Sequence, residues 1–139
     1  MQVGVAEFLE KAAKLKRKEA RVKALQANDS YVLRTTLQAA FDPRVKFLLP
    51  TGPVPFKPNT LPDQEGNYIN MCRKLIYFVE GPYSGMNSIK RQQIFIELLE
   101  GIDKNDAAML VEIKDKKLPF KGIDANIVRE AFPGLLPEE

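Results

Sequence analysis

Histidine and tryptophan are both absent from this chain of 139 residues, and Cys72 is its only cysteine. Without histidine there is no imidazole ligand for zinc, no Ser-His or Cys-His nucleophilic pair and no imidazole acid–base catalyst. A single cysteine forms no intramolecular disulfide, so the composition fits a reducing cytoplasm. These absences leave little for catalysis, and we predict a non-enzymatic protein that uses no cofactor.

Other signatures are missing as well. No apolar stretch approaches the roughly 20 residues that a membrane-spanning helix needs, and the amino-terminal residues lack the apolar core of a signal peptide. The glycine-rich phosphate loop ending in Gly-Lys-Ser/Thr and the dinucleotide-binding glycine pattern are absent. The carboxylate pairs Glu97/Glu100 and Asp103/Asp106 are more typical of helix termini than of a cation site. We therefore expect no membrane association and no metal.

The remaining composition is that of a soluble globular domain. Hydrophobic residues make up 45% of the chain and charged residues 28%, and the chain is long enough to bury a core. The net charge is +3 and the isoelectric point is near 9.0, which favours polyanionic partners only mildly.

Helical patterns cover most of the chain. Apolar residues recur at three- and four-residue steps in segments 3–26, 28–41, 67–81, 88–100, 103–117 and 125–132. Residues that typically cap helices precede several of these segments, namely Ser30 with Asn28 and Asp29, then Asn87 or Ser88, Asp103 with Asp106 in the reciprocal position, and Asp124. Segment 44–49 is ambiguous, and no clear strand pattern is present. We predict an all-α, single-domain bundle of about six or seven helices spanning residues 1–139.

Half of the ten prolines fall between Pro50 and Pro62. This density predicts an extended, non-helical connection. It is either a proline-rich ligand for a recognition domain or a rigid surface loop, and we favour a loop within the single domain. Its expected apolar anchors are Val54, Phe56 and Leu61. In the following segment, the helical spacing predicts that Ile69, Cys72, Ile76 and Val79 face inward.

Basic residues are concentrated in two places. Segment 3–26, predicted as one amphipathic helix, contains seven basic residues and three acids, and a row on it comprises Lys11, Lys14, Lys18 and Arg21. A solvated helix face is the favoured interpretation of that row. The second concentration is a lysine–glycine loop, formed by Lys114, Lys116, Lys117, Lys121 and Gly122 ahead of the last helix.

The lysine–glycine loop has two interpretations. Glycine permits close approach of the backbone, and the first amides of a helix together with lysines favour a phosphate. The loop can equally be an ordinary connection with solvated lysines, and Asp115 and Asp124 reduce its positive field. On chemistry alone the ordinary connection is favoured.

Segment 121–139 (KGIDANIVREAFPGLLPEE) resembles the end of the N-terminal, all-helical DNA-binding domain of ATP-dependent DNA ligases from large tailed bacteriophages. The matching positions are Gly122, Asp124, Phe132, Pro133, Gly134, Leu135, Leu136, Pro137 and Glu138. Segment 97–118 is similar to the helix-turn-helix before that loop, and segment 16–50 resembles the opening helices more loosely. Pro119 and Phe120 lengthen the loop, and Asp124 stands where the family has a hydroxyl cap.

The resemblance implies binding of duplex DNA across the minor groove, mostly through backbone contacts. By position, it implies that Lys121, Gly122 and Ile123 approach phosphates and that Asn126 faces the groove. Lys114, Lys116 and Lys117 are expected to add positive charge. The Lys-x-Asp-Gly motif of the ligase catalytic domain does not occur in the chain, so the chain is not a ligase by itself.

The expected function is therefore that of a non-catalytic accessory protein of a tailed phage, which binds duplex DNA with little sequence dependence. Replication, repair and transcription are the candidate processes, in the cytoplasm of the infected bacterial host. The alternative is a protein-interaction module on the same scaffold, which docks on a phage or host polymerase or clamp and no longer binds DNA. An enzyme built on the carboxylate pairs ranks last.

Overall fold

Seven α-helices and one 3-10 helix form the secondary structure of residues 3–137, the part of the chain that the computed structural model describes. The α-helices are α1 Val5–Ala13, α2 Lys18–Ala27, α3 Tyr31–Phe41, α4 Asn67–Met71, α5 Ser88–Gly101, α6 Lys104–Ile113 and α7 Ala125–Ala131, with the 3-10 helix at Cys72–Phe78. No strand forms within residues 3–137, where Phe47 and Val79 make one isolated antiparallel bridge. The predicted all-α, single-domain fold is confirmed.

One buried apolar cluster contains residues from every helix. α5 and α6 pack together and supply fully buried side chains such as Leu99 and Ile113. Burying a side chain of this size contributes about 1.5–3 kcal/mol to folding. α1 packs on α6, and α2 packs on α7, so the chain's amino-terminal helices lie against its carboxy-terminal ones.

Predicted capping residues begin four of the helices. Ser30 Oγ accepts a hydrogen bond from Leu33 N (3.2 Å), and Asn87 Oδ1 accepts one from Ile89 N (2.8 Å). Asp103 and Asp124 do the same for Asn105 N and Ile127 N, both at 2.9 Å. Each cap satisfies a backbone amide that has no partner within its own helix, which confirms these four predictions.

The first predicted helix is in fact two helices. α1 ends at Ala13 and α2 begins at Lys18, so the prediction of a single helix over 3–26 is wrong. Lys11 therefore lies on α1, Lys14 in the connection that follows, and Lys18 and Arg21 on α2, so these four residues do not form the predicted continuous row. The break falls in the sequence Lys14-Leu-Lys-Arg-Lys, where closely spaced like charges disfavour continued helix. Leu15, which a single helix over 3–26 would place on the same apolar face as Phe8 and Val22, is 39% exposed.

The helix predicted over 67–81 changes type partway. After α4, the chain tightens into the 3-10 helix, which has three residues per turn. That period places Cys72, Leu75 and Phe78 on one buried face. The same period turns Ile76 outward, so that it is 43% exposed, whereas the helical spacing predicts that it faces inward.

The Pro-rich segment 50–62 is extended, as predicted, and Val54 and Phe56 pack against the core. Leu61 is 67% exposed, so its predicted role as an anchor is wrong. Polar contacts hold the segment instead, because Lys57 N donates to Glu100 Oε2 (2.7 Å) and Gly52 N donates to Asp115 Oδ2 (3.0 Å).

Asp106 does not form the predicted reciprocal cap with Asp103. It is fully buried, and its Oδ1 accepts a hydrogen bond from Ala6 N at the start of α1 (2.8 Å). Its Oδ2 has no hydrogen-bond partner among residues 3–137. The helix that Asp106 caps is therefore α1, a hundred residues earlier in the chain, because α1 and α6 pack side by side.

Candidate nucleic-acid interface

Lys114 lies in the interior and is only 4% exposed. Its Nζ donates to Gly52 O (2.6 Å) and to Asp115 Oδ1 (3.0 Å), while Asp115 Oδ2 accepts from Gly52 N. Burial raises the pKa of Asp115, but the hydrogen bonds from Lys114 and Gly52 outweigh it and keep the pKa below its usual value. Lys114 and Asp115 thus fasten the Pro-rich segment to the end of α6, and the Lys114 ammonium does not face solvent.

The ammonium group of Lys116 is also hydrogen-bonded within the fold. Its Nζ donates to three carbonyl oxygens at the end of α3 and just beyond it, those of Ala39 (2.5 Å), Asp42 (2.9 Å) and Val45 (3.0 Å). Burial lowers the pKa of Lys116 against the opposing charge of Asp42. These contacts tie the end of α6 to the end of α3.

The backbone of Lys116 terminates α6. Its φ of 61° is left-handed, Lys116 N donates to Ile113 O (2.8 Å), and Lys117 N donates to Glu112 O (3.1 Å). This is the Schellman arrangement, in which the left-handed position is usually a glycine. A lysine is tolerated here because its side chain makes three hydrogen bonds that glycine lacks.

Lys116→Ala is expected to lower the free energy of unfolding by about 2–4 kcal/mol, because three carbonyl groups lose a charged donor. Lys117→Ala is the matched control, since Lys117 is exposed and its side chain makes no hydrogen bond within residues 3–137. It is expected to change stability by less than about 0.5 kcal/mol. Urea unfolding measures both, and equal effects would contradict the role given to Lys116.

The backbone of Gly122 lies very close to the end of α1. Its φ is 106°, and a Cβ built there would lie 2.7 Å from Ala13 O. The same Cβ would lie 3.3 Å from both Nε and Cζ of Arg21. Only glycine fits at this position, and its close packing holds the lysine–glycine loop against the end of α1 and the side of α2.

The residues after Gly122 divide between the interior and the surface. Ile123 is 3% exposed and its amide donates to Phe120 O (3.2 Å), so neither its side chain nor its amide faces solvent. Asn126 is exposed on the first turn of α7, where its Oδ1 accepts from Arg129 Nη1 (3.4 Å). Of the seven residues predicted to bind DNA, Lys117, Lys121 and Asn126 present polar side chains to solvent.

The packing of Gly122 against Ala13 and Arg21 brings together basic residues that are far apart in sequence. Arg21 bridges them, because its Nε donates to Leu15 O (2.8 Å) while its guanidinium lies against Gly122. Around this bridge are the connection between α1 and α2 and the residue before Gly122. We call this group the basic surface; its members are Lys14, Lys16, Arg17, Arg21 and Lys121, all exposed except the partly buried Arg21.

Acidic residues border the basic surface. Lys14 pairs with Glu10 (3.4 Å), and the neighbouring Lys18 pairs with Glu130 of α7 (3.1 Å). Such exposed pairs contribute about 0–1 kcal/mol and exchange readily with other anions. Within residues 3–137, Lys16 and Lys121 make no ion pair, so their charge is directed to solvent.

The sequence did not identify Arg21 as the connecting residue. Arg21 belongs to the predicted basic row, but its contact with Gly122 spans about a hundred residues and no local pattern encodes it. One signal was available, since a glycine between a lysine and a capped helix points to a close approach by some other group. A phosphate is one candidate for that group, and within the fold the group is the carbonyl of Ala13.

The fold and this surface define an all-helical domain in which a basic surface forms where the α1–α2 connection meets the lysine–glycine loop. The chain belongs to DUF6433, a family of unknown function whose profile matches residues 8–119. The match includes the α1–α2 connection and ends just before Lys121 and Gly122. No curated protein matches the chain.

Neither a membrane span nor a metal-binding group of side chains occurs within residues 3–137. No helix in this range is long and apolar enough to cross a membrane. In the same range, no group of three or more acidic or cysteine side chains is arranged to hold a metal ion.

Proposed function

We propose that the protein is a non-catalytic accessory protein that binds the backbone of duplex DNA through the basic surface, with little dependence on sequence. The observation that carries the proposal is the close packing of Gly122 against Ala13 and Arg21. It joins a basic connection at one end of the chain to Lys121 near the other, so that cations from both regions act on one ligand.

The chemistry of the basic surface suits phosphates better than base edges. Its side chains are long, flexible cations, which neutralise phosphates and release counterions without reading sequence. Reading a base sequence requires a helix or ribbon that inserts polar side chains into a groove. Asn126 is exposed next to this surface and offers one polar contact of that kind.

The resemblance to the DNA-binding domain of tailed-phage ligases supports the same proposal. It places Lys121 and Asn126 at DNA-contacting positions, and both are exposed. We do not propose that Ile123 and Lys114 contact DNA, because the side chain of Ile123 and the ammonium of Lys114 are buried. Gly122 and Lys116 are assigned to holding the loop in place. A role in phage replication, repair or transcription follows from the resemblance alone.

The proposal is tested by charge reversal. The triple variant Lys14→Glu, Lys16→Glu and Lys121→Glu is expected to weaken duplex binding at least about tenfold at roughly 50 mM salt, because three phosphate-neutralising cations are replaced by anions. Fluorescence anisotropy with a labelled duplex of arbitrary sequence measures the affinity.

The control variant is Lys46→Glu, Lys57→Glu and Lys104→Glu, which changes the net charge equally at exposed lysines outside the basic surface. It is expected to weaken binding much less. Equal losses in the two variants would show that only net charge matters and would contradict the basic surface as the site. No binding by the wild-type chain at low salt would reject duplex binding itself.

A second candidate function is docking on a protein partner, such as a phage or host polymerase or clamp, without DNA binding. It is favoured by a groove of about 210 Å³ between α3 and the 3-10 helix, whose lining includes Tyr31 and Ile76. These side chains are 60% and 43% exposed and line the same groove, and adjoining exposed apolar groups are a feature of protein-binding surfaces. A partner that survives nuclease treatment in a pull-down supports docking, and one that is lost with the nucleic acid supports DNA binding.

A further inference from the structure

The loop 81–86, between the 3-10 helix and α5, is held rigidly by one buried side chain. Arg91 is 5% exposed, and its guanidinium donates to the carbonyl oxygens of Tyr77 (3.1 Å), Tyr83 (3.0 Å), Ser84 (3.2 Å) and Met86 (3.1 Å). Gly81 N also donates to Ser84 Oγ (2.8 Å). A loop without regular structure is thereby fixed in one conformation.

The fixed loop presents an aromatic ring at a groove. Tyr83 packs edge-to-face with Tyr77, with ring centroids 4.6 Å apart and planes at 72°, and it is still 40% exposed. Both tyrosines line an open groove of about 660 Å³ together with Met86 and Ile94. Ligand sites typically measure about 300–1,000 Å³, so the groove has room for a nucleotide-sized group.

Charged residues at the groove are mainly basic. Lys74 and Lys90 line it and are exposed, and neither ammonium makes a hydrogen bond or ion pair within residues 3–137. Neither tyrosine hydroxyl has a hydrogen-bond partner in that range either. Glu97 is the one acidic residue in the lining. The groove therefore offers a rigid aromatic ring, two available cations and unused hydroxyl groups.

We propose that this groove, which we call the Tyr83 groove, binds an unpaired stretch of nucleic acid. A base stacks on the exposed part of the Tyr83 ring, and Lys74 and Lys90 contact the adjoining phosphates. Stacking on a held aromatic ring combined with nearby cations is the way single strands are bound without sequence readout. Arg91 holds the backbone that carries the ring, and Tyr77 packs against the ring itself, which reduces the entropy lost when the ligand binds.

The features of the groove favour a single strand over the other polyanions. Bases in a duplex are stacked on each other, so the ring has no base face to contact. An acidic peptide would satisfy the two lysines but would leave the aromatic ring without a planar partner. The site lies on the 3-10 helix, the loop and α5, none of which contributes to the basic surface, so it goes beyond the proposed duplex binding.

The test compares two exposed tyrosines. Tyr83→Ala is expected to weaken binding of a short labelled oligothymidine roughly tenfold at low salt, measured by anisotropy, because one stacked base loses its partner. Tyr83→Phe keeps the ring and is expected to bind within about twofold of the wild type. Tyr31→Ala removes a tyrosine that is 60% exposed on α3, and it is expected to have no effect. Circular dichroism checks that each variant is folded.

Three results would overturn the inference. They are no binding of oligothymidine by the wild-type chain, equal loss in Tyr83→Ala and Tyr31→Ala, or Tyr83-dependent binding of polyglutamate in place of the oligonucleotide. The triple charge-reversal variant of the basic surface separates the two sites. It is expected to lose duplex binding and to keep Tyr83-dependent binding of oligothymidine.

Discussion

Gly122→Ala is expected to lower the free energy of unfolding by about 2–4 kcal/mol. Two effects add. An alanine at a φ of 106° adopts a strained backbone, and its Cβ would lie 2.7 Å from Ala13 O, which belongs to backbone and cannot move aside easily. Relief requires the loop to separate from the end of α1. Urea unfolding followed by circular dichroism measures the loss.

Gly134→Ala separates the two effects. Gly134 also has a positive φ, 88°, but an added Cβ there meets no atom within 4 Å. Only the backbone strain remains, and we expect a loss of about 1 kcal/mol. If the two variants lost the same stability, the contact between Gly122 and Ala13 would not be the close one described, and the basis for joining the basic residues into one surface would fail.

Asp106→Asn is expected to raise stability near neutral pH by as much as about 3 kcal/mol and to flatten its pH dependence at acidic pH. Burial raises the pKa of Asp106 to about 6, against the opposing hydrogen bond from Ala6 N. The carboxylates of Asp103, Glu65 and Glu7, which lie on the elements around it, act in the same direction as burial. Asparagine keeps an oxygen to accept from Ala6 N and carries no charge.

The direction of the pH effect follows from proton binding. In the unfolded chain the carboxyl group titrates near 3.8, and in the folded protein near 6. Between these values the folded state binds more protons, so this group makes stability fall as pH rises from about 4 to about 6. Above about 6 its contribution is constant. Below about 4 both states are protonated and the penalty is gone.

Asp42→Asn is the control with the opposite sign. The hydrogen bonds from Arg44 hold the pKa of Asp42 at about 2, so its carboxylate stabilises the fold at neutral pH. That contribution is lost as pH falls from about 4 to about 2, and Asp42→Asn is expected to lower stability near neutral pH. Thermal unfolding across the acidic range measures both variants. A decrease in stability for Asp106→Asn at neutral pH would contradict the assignment.

Local features of the fold were predictable from sequence. The caps at Ser30, Asn87, Asp103 and Asp124 depend on side chains that reach amides two or three residues away, so the pattern contains all the necessary information. The extended Pro-rich segment follows in the same way from the fixed geometry of proline.

Contacts between distant segments were not predictable. The sequence predicts that Lys114 and Lys116 add positive charge to the lysine–glycine loop, yet both donate to backbone carbonyls of residues 39–52, and no local rule connects those carbonyls to them. Asp106 was similarly assigned to its own helix, because the start of α1 that it caps is a hundred residues away. Periodicity also missed the 3-10 helix, since a switch from 3.6 to three residues per turn changes which residues face inward.

The proposed duplex binding rests on neutralisation of phosphates by the basic surface, and the salt dependence of affinity measures that directly. With three to five cations engaged, the logarithm of the association constant of the wild-type chain is expected to fall with the logarithm of salt concentration with a slope of about −3 to −4.5. The triple variant Lys14→Glu, Lys16→Glu and Lys121→Glu is expected to lose most of that slope. A wild-type slope near zero, or the same slope in both proteins, would contradict binding through this surface.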